Sequence, residues 1–248
     1  MDATAGDGDG LAALEARVRF DLACIDHPAA AWRPADDPVL DVLVVGAGQG
    51  GLAVAFQLLR DKVTNIRVID RAPTGREGPW RTFARMPTLR SPKAMNGPDL
   101  GVPSLTYRAW HEARFGAADW RRLDLIPKDL WADYLDWFRR VLALPVTNGV
   151  ELVHLAEASG RLAATLRAAD GGGEVVHARR VVLATGLDGL GRWWMPTVLD
   201  RLPADRRAHA ADDIDFAALA GRRVAVIGAG ASAADNAATA LEAGAREV

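Results

Sequence analysis

Six glycines and one aspartate carry the most specific chemistry in the sequence. Residues 41–55 read DVLVVGAGQGGLAVA and residues 223–233 read RVAVIGAGASA. In each, an apolar run ends abruptly at a Gly-x-Gly pair and gives way to small and apolar residues of helical character, the pattern of a strand, a tight turn and a helix. Such a turn leaves backbone N–H groups free at the helix start, where they can hold a pyrophosphate. In the first copy, Gly46 turns the chain out of the strand, Gly48 leaves room for phosphate to approach, and Gly51 lets the helix pack closely on the strand. A second apolar run, Ile66 to Ile69, ends at Asp70, 24 residues after Gly46. An acid there can accept hydrogen bonds from both ribose hydroxyls of an adenosine. In the second copy Ala233 replaces the third glycine, which relaxes the helix–strand contact. A glycine-rich turn can also be purely structural in an α/β domain, but the strand, the helix and the acid together favour dinucleotide binding.

Other catalytic chemistries find little support. There is no Ser-His-Asp arrangement and no metal-spaced cluster, and His111 and Glu112, being adjacent, point in different directions on a helix. The single cysteine, Cys24, excludes an internal disulfide and a CxxC pair and is expected to pack as a small apolar group. His27, beside Pro28, reads as a surface residue, and His154 and His177 as solvent-facing strand residues. With 30 Lys+Arg against 32 Asp+Glu and no basic block, a nucleic-acid or anionic-membrane surface is excluded, leaving small molecules as partners. No stretch approaches the roughly 18–20 apolar residues of a membrane span, and the start, MDATAGDGDG, lacks a basic region and an apolar signal core. A cytoplasmic protein is expected.

The elements that must position these residues follow from periodicity. After a disordered start (1–10), Leu11, Leu14, Val18, Leu22 and Ile25 form one helical stripe ended by His27-Pro28, packing on the main domain or on a partner; 29–38 is a linker. Prolines 73, 79, 87, 92, 98 and 103 make 71–103 a long ordered loop whose Trp80, Phe83, Met86 and Leu89 require burial, and which can reach the rest of a bound dinucleotide. Helices are expected at Ser104–Phe115 and Leu130–Leu144, the second capped by Asp129. Their Trp110, Trp120, Trp131 and Trp137 read as core ahead of a flavin or substrate box. Strands are expected at Val150–Leu155, Leu162–Arg167 and Glu174–Ala184, with a hairpin at Asp170–Gly173. The last ends at Ala184-Thr185-Gly186, small residues that let the backbone come close to another segment or a ligand. The second fingerprint predicts a strand at 223–227 and a helix to Ala243. The sequence stops at Val248, where the next strand of that unit should begin, so its covering layer is expected from more polypeptide (a missing C-terminal half) or from another chain, a homo-oligomer included.

Residues 40–248 resemble the N-terminal half of class B flavin monooxygenases: flavin-containing monooxygenases, Baeyer-Villiger monooxygenases and ornithine/lysine N-hydroxylases. Gly46, Gly48, Gly51 and Asp70 match the FAD fingerprint, where the family more often has Glu. Gly78-Pro79-Trp80 is similar to its Gly-Gly-x-Trp segment, one residue shorter. Ala184-Thr185-Gly186 matches its ATG motif, and Gly228 to Ala233 its nicotinamide-binding GxGxSA. The linker signature FxGxxxHxxx(W/Y) is matched only at His209, with Pro203, Asp205 and Asp213 at its other positions.

The resemblance implies a Rossmann-like FAD-binding domain (40–187) after an N-terminal extension (1–39), then the start of a Rossmann-like NAD(P)-binding domain (188–248). It implies FAD contacts from Gly46, Ala47, Gly48, Gln49, Gly50, Gly51, Asp70, Arg71, Trp80, Val153, Ala184, Thr185 and Gly186, and nicotinamide-dinucleotide contacts from Gly228, Gly230, Ser232 and Ala233. NADPH, or NADH, would reduce FAD, and a flavin C4a-(hydro)peroxide would pass oxygen from O₂ to a nitrogen, sulfur or carbonyl centre of a small substrate. Two alternatives stand beside this: an NAD(P)H:flavin reductase without oxygenation, and a fragment that binds FAD without turnover.

Overall fold

Side-chain alternation along two short strands decides the architecture. In the computed structural model, which describes residues 7–28, 30, 37–95, 97–187, 189, 191 and 193–248, β1 is Leu40–Val45 and β2 is Ile66–Asp70. Val42, Val44, Ile66 and Val68 face a helical layer, whereas Leu43, Val45 and Ile69 face the other way, into a second apolar cluster. A strand buried on both faces needs apolar residues at every position, which is why both runs are nearly continuous.

The sheet order is β3-β2-β1-β6-β5-β4. β3 (Val146–Asn148), a short strand that periodicity did not reveal, pairs parallel with β2. β4 (Val150–Ala158), β5 (Arg161–Ala168) and β6 (Gly173–Leu183) form an antiparallel meander, each a few residues from its expected bounds. The β5–β6 turn uses Gly171 at φ +89°, a left-handed conformation that suits glycine. β6 belongs to both parts: Gly173 to Ala178 pair with β5, and Ala178 to Leu183 run parallel to β1. That double membership delivers the Ala184-Thr185-Gly186 turn beside the first fingerprint.

The helical layer comprises α1 (Asp7–Cys24), α2 (Gln49–Arg60), α3 (Tyr107–Phe115), α4 (Ala117–Arg122) and α5 (Lys128–Val141). α1 buries Val18 and Leu22, with Leu11 and Leu14 packed on the same core, and its Glu15 accepts hydrogen bonds from Trp137 Nε1 (3.2 Å) and Arg140 (2.7 Å). Trp110, Trp120, Trp131 and Trp137 are all buried, so the aromatic stripes are core.

Several sequence expectations need correction. The start expected to be disordered (1–10) is helical from Asp7 onward, residues 1–6 and most of the expected linker (31–36) lying outside the described residues. Cys24 is exposed, because it lies two residues past Leu22 and the helix turns it away from the buried stripe. His27 is half-buried, its ring edge-on to Phe56 at 5.6 Å. Pro127, not Asp129, is the N-cap of α5; Asp129 sits in the first turn and accepts from Lys128. The helix expected from Ser104 starts at Tyr107 after a 3-10 turn over Pro103–Leu105, with Thr106 as its cap.

In the C-terminal part, α6 (Ala231–Glu242) forms as expected, but 223–227 is not a strand. It makes one parallel bridge, Arg223 to Glu247, with Val224 N–H donating to the Glu247 carbonyl. A ladder needs a paired neighbour along its length, and Ile227 is 64 % exposed. No helix among the described residues is long and apolar enough to cross a membrane.

Candidate functional site

The turn between β1 and α2 is fixed by its backbone. Gly46 adopts φ +105° and donates its N–H to the Ile69 carbonyl at 2.7 Å. A Cβ on Gly46 would lie 2.3 Å from the Ala184 carbonyl oxygen, and one on Gly51 would lie 1.8 Å from the Gly46 carbonyl oxygen. Both glycines are therefore required by close backbone approach, and Ala184 belongs to the same contact through its N–H bond to the Val45 carbonyl (2.8 Å). Gly186 follows at φ +74°, and Thr185 is covered by Gly189, whose Cβ would collide with the Thr185 hydroxyl.

Gly48 and Gly50 differ from these two. A Cβ on Gly50 would meet nothing within 4 Å, and one on Gly48 would meet only Gly78 backbone, at 3.8 Å or beyond. Gly48 is the N-cap of α2, no side chain caps the helix, and its first turn carries no acid. The first N–H groups of a helix have no intrahelical acceptor, and the helix dipole favours an anion there. An open cradle at an uncapped, acid-free helix start fits the pyrophosphate of FAD. Gln49 opens that helix.

Asp70 completes the turn in a way that spacing did not reveal. Its Oδ2 accepts the Ala47 N–H at 2.7 Å and its Oδ1 the Ala72 N–H at 2.8 Å. The carboxylate thus ties the fingerprint to the end of β2, while each oxygen keeps a further acceptor site for a ribose hydroxyl. Arg71 follows, exposed.

The loop after β2 is stapled across the cleft. Glu77, its side chain 8 % exposed, accepts from Arg139 (2.7 Å) and from Asn148 (2.6 Å). Four residues on, Arg81 binds Asp133 (2.5 Å) and Asp136 (2.6 Å). Arg81 is partly desolvated, which lowers its pKa, but Asp136 and Asp133 outweigh that and hold the guanidinium above its ordinary value. Residues 133, 136 and 139 lie on one face of α5, so Gly78-Pro79-Trp80 is held along that helix and opposite Gly48. The resulting pocket has Ala47, Gly48 and Leu52 on one wall and Trp80, between its two stapling neighbours, on another; α5 closes it with Leu135, Asp136 and Arg139. Glu77, Arg81, Asp136 and Arg139 escaped the sequence reading. The i, i+3, i+6 charges on α5 were a readable signal, but their partners forty or more residues away were not.

Val153 stands apart. It lies on β4, separated from β1 by β6 and β5, 43 % exposed and outside the pocket lining.

The second turn repeats the geometry with less around it. Gly228 is at φ +142°, Gly230 is the N-cap of α6, no side chain caps that helix, and Ser232 is exposed. Ala233 stands where Gly51 stands in the first copy, and its Cβ has room: it would be 3.6 Å from a Cβ at Gly228. An open groove is lined by Gly228, Gly230 and Ala234 together with Val226 and Val248. His209 lies in the preceding segment, its ring stacked on Trp193 at 4.9 Å. Among the described residues no group of three or more His, Cys, Asp or Glu could hold a metal.

Comparison with known proteins agrees with this geometry. A family model described as FAD-NAD(P)-binding matches residues 43–188. The chain is 49 % identical over 239 residues to an FAD-dependent urate hydroxylase of Xanthomonas campestris pv. campestris, covering 94 % of this chain and 50 % of that protein. It therefore spans about half the length of this curated relative. Among solved structures, the FAD-bound cadaverine monooxygenase DfoA of Erwinia amylovora superposes with a TM-score of 0.65 at 18 % identity, over 82 % of this chain and 48 % of that one. The bacillithiol disulfide reductase of Bacillus cereus superposes with a TM-score of 0.62 at 18 % identity, over 84 % and 57 %. At such identity these two likenesses speak for the fold.

Proposed function

Since this chain belongs to the FAD-NAD(P)-binding family, we propose that it works as an FAD-dependent NAD(P)H monooxygenase, with FAD at the first fingerprint and NADPH or NADH at the second. The observation that carries the reading is the uncapped start of α2 facing an open cradle at Gly48 and Gly50, with Asp70 at the end of β2. Bound FAD would supply two-electron redox chemistry, accepting hydride from the nicotinamide and reducing O₂, so that one oxygen atom reaches the substrate and the other leaves as water. The chain's own residues bind and orient. The first N–H groups of α2 hold pyrophosphate, Asp70 accepts from the adenosine ribose, and the Glu77 and Arg81 staples keep Trp80 in place and restrict water. No side chain has to act as a nucleophile.

The urate hydroxylase relative makes urate the first substrate to assay, beside small molecules oxidised at a nitrogen, sulfur or carbonyl centre. A cytoplasmic setting and a division into units at 187/188 belong to the same reading. A flavin-dependent reductase without oxygenation is the second reading, since the fold is common to a monooxygenase and to bacillithiol disulfide reductase alike.

The test is the visible spectrum of the purified chain during NADPH addition under nitrogen and then air. Flavin bands that bleach with NADPH and return with O₂, with oxygenated urate or another oxygenated product formed, are expected. A colourless protein that takes up no added FAD would overturn the reading; bleaching with hydrogen peroxide as the sole oxygen product, whatever the substrate, would favour the reductase.

A further inference from the structure

The segment that closes the first site continues directly into contacts with the second unit. Beyond Arg81, Phe83 meets Trp193 edge-on at 5.8 Å. Arg85 donates to the Asp212 carbonyl at 3.0 Å and lies over the Phe216 ring at 5.2 Å, while its other terminal nitrogen holds the Thr82 carbonyl of its own segment at 2.7 Å. Arg90 takes both carboxylate oxygens of Asp235, each at 2.7 Å, and Asp235 is in the second turn of α6, whose start is the second fingerprint. Arg85 is half-buried and the Asp235 side chain is 18 % exposed, whereas the Arg90 side chain is 54 % exposed, so the Arg90–Asp235 pair is buried on its carboxylate side only.

We propose that Arg85 and Arg90 are positioning residues that hold the second dinucleotide unit at a fixed place against the FAD cradle, making residues 77–90 one continuous strap between the two sites. The inference rests on the reading of the two fingerprints given above. The physical need is that hydride transfer, in which the nicotinamide loses a hydride and the flavin gains it with a solvent proton, tolerates little error in the approach of the two rings. α5 anchors the front of the strap through Glu77 and Arg81; the second unit hangs from its rear. Neither arginine lines the first pocket or the second groove, so removing them leaves each cradle's own contacts in place.

The experiment compares Arg90→Ala, Arg85→Lys and the charge exchange Arg90→Asp with Asp235→Arg in the full chain. Backbone hydrogen exchange in the cofactor-free protein is expected to speed up over α6 in Arg90→Ala and over 209–216 in Arg85→Lys, while β1 and the start of α2 stay protected. FAD affinity, read by flavin fluorescence, is expected to stay within about twofold. The rate of flavin reduction at saturating NADPH is expected to fall about tenfold or more, since misplacement of the order of 1 Å can cost that much and beyond. The charge exchange is expected to restore most of the loss. An unchanged exchange pattern with an unchanged reduction rate would overturn the inference, and so would an equal loss of FAD affinity in all three variants. If the unmodified chain takes up no FAD, it is the reading of the fingerprints that fails; if it binds FAD and the variants reduce it at the same rate, only the strap fails.

Discussion

The two fingerprints are the same sequence idea in different surroundings. At the first, β1 is paired on both edges, by β2 and β6, and Val42 to Val45 are all buried. At the second, the corresponding run has a single bridge, and Val226 and Ile227 are exposed. The difference shows which features belong to the motif and which to its setting. A left-handed first glycine and an uncapped helix start recur in both copies, so they belong to the motif. The demand for glycine at the third position does not recur, because only in the first copy does the turn's own carbonyl close to 1.8 Å of a Cβ there.

The sharpest way to break this comparison is to exchange the third positions. Gly51→Ala should destabilise the chain by about 3 kcal/mol or more, since the Cβ meets rigid backbone, with loss of FAD retention. Ala233→Gly should cost only about 1 kcal/mol, the helix propensity difference. Thermal denaturation with a flavin release assay checks both, and equal effects would show that the two turns are equally tight. Next in size is Asp70→Asn. An amide can accept from Ala47 or Ala72 but not from both through carboxylate oxygens, so about 1–3 kcal/mol should be lost and the FAD dissociation constant should rise correspondingly.

A smaller effect is expected from the staple. Glu77→Gln removes the charge that Arg139 meets in a mostly buried site and should cost about 1–2 kcal/mol, with weaker FAD binding and unchanged binding of NADPH to the second groove, read by titration. Smallest is a pH effect in the aromatic core. Burial pushes the His111 pKa down, with Asp119 opposing only in part, so the folded chain prefers the neutral ring. Stability from this group is therefore complete above the ordinary His pKa of about 6.5 and declines as pH falls below it. His27 is shifted the same way by burial and Arg60. The expected result is a thermal midpoint that drops on acidification from pH 7 to 5, less steeply in His111→Phe; an identical slope in that variant would contradict the assignment.

Much of the fold was legible because it rests on local pattern. The apolar runs at 42–45 and 66–69, the hairpin glycines at 171–173 and the helical stripes of α1 and α5 each follow from spacing alone. What escaped depends on distant partners. β3 is three residues long and exists because β2 offers an edge. Cys24 and Asp129 departed from expectation through the phase of a helix at its end, which a stripe fixes only to within a residue or two. At the candidate site, the tight turn at Gly46 and Gly51 and the place of Asp70 at the end of β2 were readable, whereas the staple joins Glu77 and Arg81 to residues 133–148, and no local signal pairs charges across such a gap. Asp70's grip on Ala47 was equally hidden, being a backbone contact across 23 positions.

The division of labour between the two turns is tested most directly by placing valine at the second glycine of each. Gly48→Val would fill the space in front of α2, and Gly230→Val the space in front of α6, neither being strained by its backbone. Measured side by side by flavin absorbance and NADPH titration, Gly48→Val is predicted to lose FAD, while Gly230→Val keeps FAD and binds NADPH more weakly. Loss of FAD from both alike, or from Gly230→Val alone, would contradict the assignment of FAD to the first fingerprint and the nicotinamide dinucleotide to the second.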